Sequence, residues 1–531
     1  MRRRLFLYLV SAILAAQTTG EIARPPVTGT VKPRRVAQVT RPRKGAARPV
    51  ALASTQTPAA SNLALEEKIA LAAENSTVAR RSAWGAHAVN LSTGEVIYGH
   101  HADSHYVPAS NTKLFSTAFA LTRLGPNHRY STALVADGVL DASGTLAGNL
   151  RLVGGGDPML SGRPYPYTKN GKNGDPMRPL EGLVEDAYQA GLRAVSGDVI
   201  GDDSAYVWEP YPPGWSQDDT MYEYGAPVSA LVLHDNTVSV DVRPGEKVGD
   251  RALIDVRPSG SYFFIESHVT TGPEQRVQVE RGSGPRLLTV WGSVRPNSGF
   301  TIPVPVPDPA HYAAHCLREA LERRGIRVQG GTKARHRYFW HGDEPQEPLQ
   351  PGLTLASRQS PPLIELLKIV NKVSQNLHAE LALREVARVS GAFGSRRSAM
   401  TDMSAFLRRA GIGAGDVNLI DGSGLSRLTL ATPAAFTSLL KLMHASPNRQ
   451  QWLETLPIGG EDGTLSGRFR GLESGRIMAK TGTLSHVNAL SGYIENGRGE
   501  MIAFSVMVNN AHAPSGTART FIDTVVKLLT E

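Results

Sequence analysis

Apolar residues recur at helical spacing in NLALEEKIALAAENSTVAR (62–80), where Leu63, Ile69 and Val78 stand among charged positions, and this predicts a helix. AHAVNLSTGEVIYG (86–99) places Val89 on one side of Gly94 and Val96 and Ile97 on the other, and predicts a hairpin. An apolar helix is expected from about Ser110 to Leu124, preceded by Pro108 and stopped by Gly125-Pro126. From about 131 to 345 the texture changes. Short β-rich pieces such as LRLVGGGDP, VSGDVIGDD, TVSVDVRPG and RLLTVWG are split by Gly, Asp and Pro, and one amphipathic helix, HYAAHCLREALERRG, closes at Gly325. Helical periodicity returns at 361–389 and again in MTDMSAFLRRAGI and TPAAFTSLLKLMHA. Strands and turns follow through RIMAKTGTLSHVNALSGYIENGRGEMIAFSVMVNN, and a last helix runs through ARTFIDTVVKLLTE. This order describes one α/β unit that opens before 130, closes after 350, and carries the middle of the chain as an insertion.

Composition supports more than one domain. The chain has 531 residues, and a single core rarely grows beyond ~250–300 residues. With 41% hydrophobic and 20% charged residues it suits a soluble globular enzyme. Cys316 is the only cysteine, which excludes an intrachain disulfide and a cysteine-rich zinc site; packing inside its helix is the expected role. Arg2, Arg3 and Arg4 precede the apolar run Leu5–Ala16, whose 12 residues are short for a membrane span of ~20 residues. A signal peptide over 1–20 and export to the periplasm or extracytoplasmic cell-wall space are therefore expected, with an uncleaved anchor as the alternative.

The net charge of +9 is unevenly placed. Met1 to Arg48 holds 11 Lys or Arg against one acid, Glu21, giving +10 and leaving the rest of the chain near −1. Residues 21–60 form a basic, Pro- and Arg-rich linker that cannot bury enough apolar surface to order itself. It serves as a spacer or makes weak electrostatic contact with anionic surfaces. Nucleic-acid binding would need aromatic platforms or a reading helix, and neither is evident. Asp218 and Asp219 lack a histidine pair at ligand spacing, so no metal site is expected, and His234 and His378 read as structural.

Three short motifs carry chemistry. In Ser110-Asn111-Thr112-Lys113 the serine and lysine are three apart on one helical face, so Lys113 can act as the base for a Ser110 nucleophile if burial lowers its basicity. In Ser374-Gln375-Asn376, Ser374 can relay a proton to a leaving nitrogen and Asn376 can orient a substrate amide. In Lys480-Thr481-Gly482-Thr483, Lys480, Thr481 and Thr483 can hold a terminal carboxylate, and Gly482 permits close backbone approach. The N–H groups of Ser110 and Thr483 would then form an oxyanion hole. A histidine-based triad is disfavoured, because no GxSxG elbow marks Ser110.

The order SxxK, SxN, KTG is that of penicillin-binding proteins and class A β-lactamases. The spacings, 264 residues from Ser110 to Ser374 and 106 from Ser374 to Lys480, leave room for a large module in the first gap. Together with LVGGGDPML (152–160), PPGWSQDDTMYEYGAPVSALVLHDN (212–236), SPPLIELLKIVNKVSQNLHAE (360–380), DGSGLSR (421–427) and LPIGGEDGTLSGRF (456–469), they resemble the low-molecular-mass class C penicillin-binding proteins, the D-alanyl-D-alanine carboxypeptidase/endopeptidases of peptidase family S13.

The resemblance implies a β-lactamase/transpeptidase-like α/β domain, an antiparallel sheet flanked by helices, over 62–132 and 346–531, with β-rich accessory domains inserted at 133–345. It implies Ser110 as the acylated residue, Lys113 as its base, Ser374 and Asn376 as the second motif, and Lys480, Thr481 and Gly482 as the third. Gln375 stands where many relatives have Asp. Peptidoglycan stem peptides are the implied substrates and β-lactams the covalent inhibitors, with no cofactor. The oligomeric state is open, a dimer being compatible. The competing readings are a serine β-lactamase or esterase with the same acylation apparatus, a non-catalytic peptidoglycan-binding protein, and a scaffold.

Overall fold

The computed structural model describes residues 64–169, 171, 173–281, 284, 286–339 and 352–531. The expected signal segment and basic linker lie outside the described residues. Among the described residues no helix is long and apolar enough to cross a membrane.

The two ends of the described chain build one antiparallel five-stranded sheet, in the order Ile477–Leu484, Val487–Glu495, Met501–Asn509, Ala83–Asn90, Val96–His100. The early strand joins the last one in register from Ala83 opposite Asn509 to Asn90 opposite Ile502. Side chains alternate across this sheet, as the two-residue period demands. Ala489, Tyr493, Ala503 and Met507 face a helical core with Phe115 and Phe436, from helices Lys113–Leu124 and Pro433–His444. Leu490, Ile494, Phe504 and Val506 face the opposite core, with Ile69 and Phe521 from helices Leu65–Asn75 and Ser515–Leu528. The first helix is thus shorter than the pattern over 62–80 implied.

The insertion holds a seven-stranded mixed sheet, two three-stranded sheets and the helices Arg178–Gln189 and Pro309–Arg323. Strands Ser131–Leu140 and Thr145–Gly154 pair as an antiparallel hairpin. Cys316 is fully buried in the insertion's core. The return to the catalytic unit expected at 346 falls outside the described residues. The strand Leu353–Gln359 still pairs with Ser131–Leu140, Gln359 lying opposite Ser131. The insertion's sheet therefore binds its own two ends side by side, and the helices of the other unit resume only at Leu363. Tyr206, Val228, Ala230 and Val232 of the insertion pack on Leu377 and Leu381, which fastens it to the helix that begins with Asn376.

The single helix expected over 361–389 is broken. Helix Leu363–Lys368 runs into one π turn, Ile369–Val373, then Ser374 takes the left-handed conformation at φ 68°, and a new helix spans Asn376–Val389. Apolar periodicity persists through the break, so the pattern alone could not reveal it. A local cause is visible: the Gln375 side chain caps the new helix by accepting from the Leu377 N–H at 2.7 Å.

Candidate active site

Ser110 lies on a short 3-10 turn, Ala109–Thr112, that feeds the helix Lys113–Leu124. In a 3-10 turn residues three apart eclipse each other more closely than in an α-helix. Lys113 Nζ accordingly donates to Ser110 Oγ at 2.8 Å. It also donates to Asn376 Oδ1 at 2.6 Å and to the Ser423 carbonyl at 2.8 Å. Three acceptors saturate the ammonium and fix it in one geometry. Lys113 is fully buried, and burial pulls it from 10.5 to about 7, against the opposing pull of the Asp421 and Glu380 carboxylates. Half-buried Ser110 thus faces a lysine that readily exists as a neutral amine.

The turn is anchored from below. Asn111 Nδ2 donates to Ser491 Oγ at 2.7 Å, and Ser491 Oγ donates to Ser505 Oγ at 2.8 Å, tying the turn to two strands of the sheet. Ala109, just before Ser110, holds φ 50°, a left-handed conformation uncommon outside glycine.

The left-handed kink at Ser374 turns its hydroxyl to Lys480, whose Nζ donates to Ser374 Oγ at 2.9 Å and to the Thr481 carbonyl at 2.8 Å. Lys480 is fully buried, and burial followed by the nearby Lys113 charge holds it well below the ordinary lysine range. Asn376 reaches both ways, accepting from Lys113 and donating through Nδ2 to the Tyr224 carbonyl at 2.7 Å. The structure therefore brings all three motifs together around Ser110.

The strand Ile477–Leu484 is an edge of the five-stranded sheet. Its first half is covered by the 457–459 segment: Ala479 N–H donates to the Pro457 carbonyl and Gly459 N–H to the Ile477 carbonyl. By the two-residue period, the N–H and C=O groups of Thr481 and Thr483 point the same outward way. Thr483 is exposed there, and Thr481 Oγ1 donates to Thr464 Oγ1 at 2.8 Å. Gly482 passes so close to the Ser110 turn that a Cβ would lie 2.4 Å from the Pro108 carbonyl oxygen.

Several residues of this neighbourhood escape motif reading. Asp421 organises the DGSGLSR loop: it accepts from the N–H groups of Gly424 at 3.0 Å and Ser426 at 2.8 Å and from Trp215 Nε1 at 3.0 Å. Gly424, at φ 77°, lies where a Cβ would sit 1.9 Å from the Ala109 carbonyl oxygen. Lys372 Nζ binds the Asp462 carboxylate and the Leu456 carbonyl, joining the π turn before Ser374 to the GGEDGT loop. The only sequence signal for these roles is the mixture of Gly and Asp in both loops. Elsewhere, His378 Nε2 meets Asp235 Oδ1 at 2.9 Å, and Asp235 is also paired with Arg163, a structural setting. Among the described residues no cluster of His, Cys, Asp or Glu could hold a metal ion.

Comparisons with known proteins agree in one direction. The model of the D-Ala-D-Ala carboxypeptidase 3 (S13) family matches residues 65–531. The D-alanyl-D-alanine carboxypeptidase of Actinomadura sp. (strain R39) is 32% identical over 441 residues, covering 80% of this chain and 77% of that protein. D-alanyl-D-alanine carboxypeptidase DacB of Haemophilus influenzae is 28% identical over 433 residues, covering 80% of this chain and 84% of its own. The crystal structure of penicillin binding protein 4 (dacB) from Haemophilus influenzae superposes with a TM-score of 0.74 at 25% identity, over 87% of this chain and 99% of that one. A structure of the same protein complexed with a novel β-lactam superposes with a TM-score of 0.70 at 24% identity, over 87% of this chain and 99% of that one.

Proposed function

The chain belongs to the D-Ala-D-Ala carboxypeptidase 3 (S13) family, and on that premise we propose that Ser110 is the residue through which it cleaves peptidoglycan stem peptides ending in D-alanyl-D-alanine. The protein is a serine-type D-Ala-D-Ala carboxypeptidase that binds penicillins. The observation that carries the site assignment is the placement of Lys113 Nζ, buried and within 2.8 Å of Ser110 Oγ.

In this reading neutral Lys113 takes the Ser110 proton as Oγ attacks the penultimate D-alanine carbonyl. The N–H groups of Ser110 and Thr483 receive the developing oxyanion. Ser374, bonded to Lys480, passes a proton to the departing nitrogen, and the C–N bond breaks to release D-alanine. Water then attacks the acyl carbonyl, and Ser110 recovers its proton. Lys480, Thr481 and Thr483 hold the substrate's terminal carboxylate. A carboxylate beside Lys480 restores the charge that burial and Lys113 disfavour in the free enzyme. Asn376 orients the substrate amide, and Gly482 brings the carboxylate-binding strand against the nucleophile's turn.

Endopeptidase action on cross-linked stems is the same chemistry with a larger leaving group, the neighbouring stem departing through the amine that the D-alanine carbonyl had acylated. A β-lactam acylates Ser110 by ring opening, which leaves the expelled nitrogen tethered in the site. Export belongs to the same proposal, since stem peptides lie outside the cytoplasm. The test is incubation with a soluble acyl peptide ending in D-Ala-D-Ala. One D-alanine per peptide is expected from the wild type and none from Ser110→Ala, and a folded wild type that releases none would overturn the reading.

A further inference from the structure

Glu380 is a buried carboxyl whose hydrogen bonds, among the described residues, go to none of the motif side chains. It lies one helical turn after Asn376 on the same face of the helix Asn376–Val389. Its Oε1 accepts from the N–H groups of Gly422 at 2.9 Å and Ser423 at 2.8 Å. Ser423 is the residue whose carbonyl accepts from Lys113 Nζ. The Ser116 hydroxyl donates to the adjacent Gly422 carbonyl at 2.5 Å, closing the loop onto the nucleophile's helix. One helix therefore grips Lys113 twice, through Asn376 Oδ1 directly and through Glu380 by way of the loop. The second carboxyl oxygen, Glu380 Oε2, is buried without a hydrogen-bond partner among the described residues.

We propose that Glu380 is a positioning residue for the catalytic base: it holds the Ser423 carbonyl on Lys113 and, by its charge, sets the pH range in which Lys113 is neutral.

The charges around Glu380 are few and identifiable. Burial, then the Asp421 carboxylate, pushes its carboxyl well above the ordinary range, and Arg384 on its own helix opposes this. Arg384 is itself fully buried, bonded to the Val207 and Glu209 carbonyls and flanked by the Glu209 carboxylate and Arg396. From the nucleophile's helix the facing charge is Lys113, on which Glu380 acts to favour the ammonium. An ionised Glu380 thus delays loss of the Lys113 proton, and a neutral one advances it. The Oε2 left without a partner is where a carboxyl proton would sit at low pH.

The inference rests on Lys113 being the base. The experiment is the pH dependence of penicillin acylation for the wild type, Glu380→Gln, Glu380→Ala and Lys113→Ala. Glutamine keeps an oxygen for the two N–H groups and deletes the charge. Its acid limb should therefore move to lower pH by half a unit or more, and its plateau should fall less than that of Glu380→Ala. Alanine releases the loop and should lower the plateau about ten-fold or more, a loss that glutamine largely restores. A Glu380→Gln profile superimposed on the wild type, or displaced to higher pH, overturns the proposal, and that variant decides alone if Glu380→Ala does not fold. Rapid acylation of folded Lys113→Ala would instead overturn the assignment of the base, which separates the two failures.

Discussion

Gly482→Ala places one methyl group at the contact on which the site depends. The added Cβ would lie 2.4 Å from the Pro108 carbonyl oxygen and 3.2 Å from the Asn111 nitrogen. Non-bonded carbon contacts settle near ~3.5 Å, so relief requires roughly 1 Å of separation between strand and turn. Asn111 Oδ1 also lies at 3.2 Å, but the nearest atom, the Pro108 carbonyl oxygen, is backbone and cannot swing aside as a side chain could. The turn is the less able to retreat, because Asn111 is bonded to Ser491 and Lys113 holds three acceptors. The strand Ile477–Leu484 should yield, carrying Lys480 and the Thr483 N–H away from Ser110. A displacement of ~1 Å at reacting groups can cost about 10²-fold in rate, and overpacking of one methyl costs about 1–3 kcal/mol in stability. The assay is the second-order rate constant for penicillin acylation, with thermal unfolding in parallel. Gly516→Ala is the control, since nothing lies within 4 Å of a Cβ there. The expected result is an acylation rate lower by about 10²-fold in a folded protein, with the control at the wild-type rate. Gly482→Ala acylating within about three-fold of the wild type would refute the claim that this approach sets the geometry.

Two further outcomes test other parts of the site. Lys480→Ala should slow hydrolysis of a peptide with a free terminal carboxylate about ten-fold more than that of a matched neutral ester, because a charge-assisted hydrogen bond contributes ~1.5–3 kcal/mol; steady-state kinetics on both substrates checks this, and equal losses would give Lys480 another role. Asp462→Ala leaves the Lys372 ammonium, only 6% exposed, with the Leu456 carbonyl as its remaining acceptor. Breaking such a pair costs about 3–5 kcal/mol, to be read from urea unfolding, and a loss under about 1 kcal/mol would mean that water reaches the ammonium.

What the sequence reveals and what it hides divide along physical lines. Ser110 and Lys113 are three residues apart, so local backbone geometry alone brings them together, and their pairing is legible. The helices ending at Leu124 and His444 and the hairpin around Gly94 follow from periodicity and turn residues. The break at Ser374 does not, because Leu366, Val370, Leu377 and Leu381 keep a helical rhythm across it. The carbonyl of Ser423 on Lys113 is equally hidden, since its partner is 310 residues away and a carbonyl has no residue signature. Glu380 looks like an ordinary charge in a helix, and only burial against the DGSGLSR loop gives it a role. The strand Leu353–Gln359 is hidden for a related reason, since only its pairing with Ser131–Leu140, more than 200 residues earlier in the chain, places it in a sheet.

The central claim is that Ser110 alone carries the acyl group. Ser374 and Ser116 are the competing hydroxyls, and their surroundings differ. Ser374 Oγ is met by Lys480, which the proposal assigns to the substrate's terminal carboxylate, and Ser116 donates to the Gly422 carbonyl inside the protein. The measurement is mass spectrometry of a protease digest after penicillin labelling, on the wild type and on folded Ser110→Ala. One penicilloyl group on the peptide containing Ser110, and none on the variant, is the expected result. A label on any other peptide, or undiminished labelling of Ser110→Ala, would contradict the account.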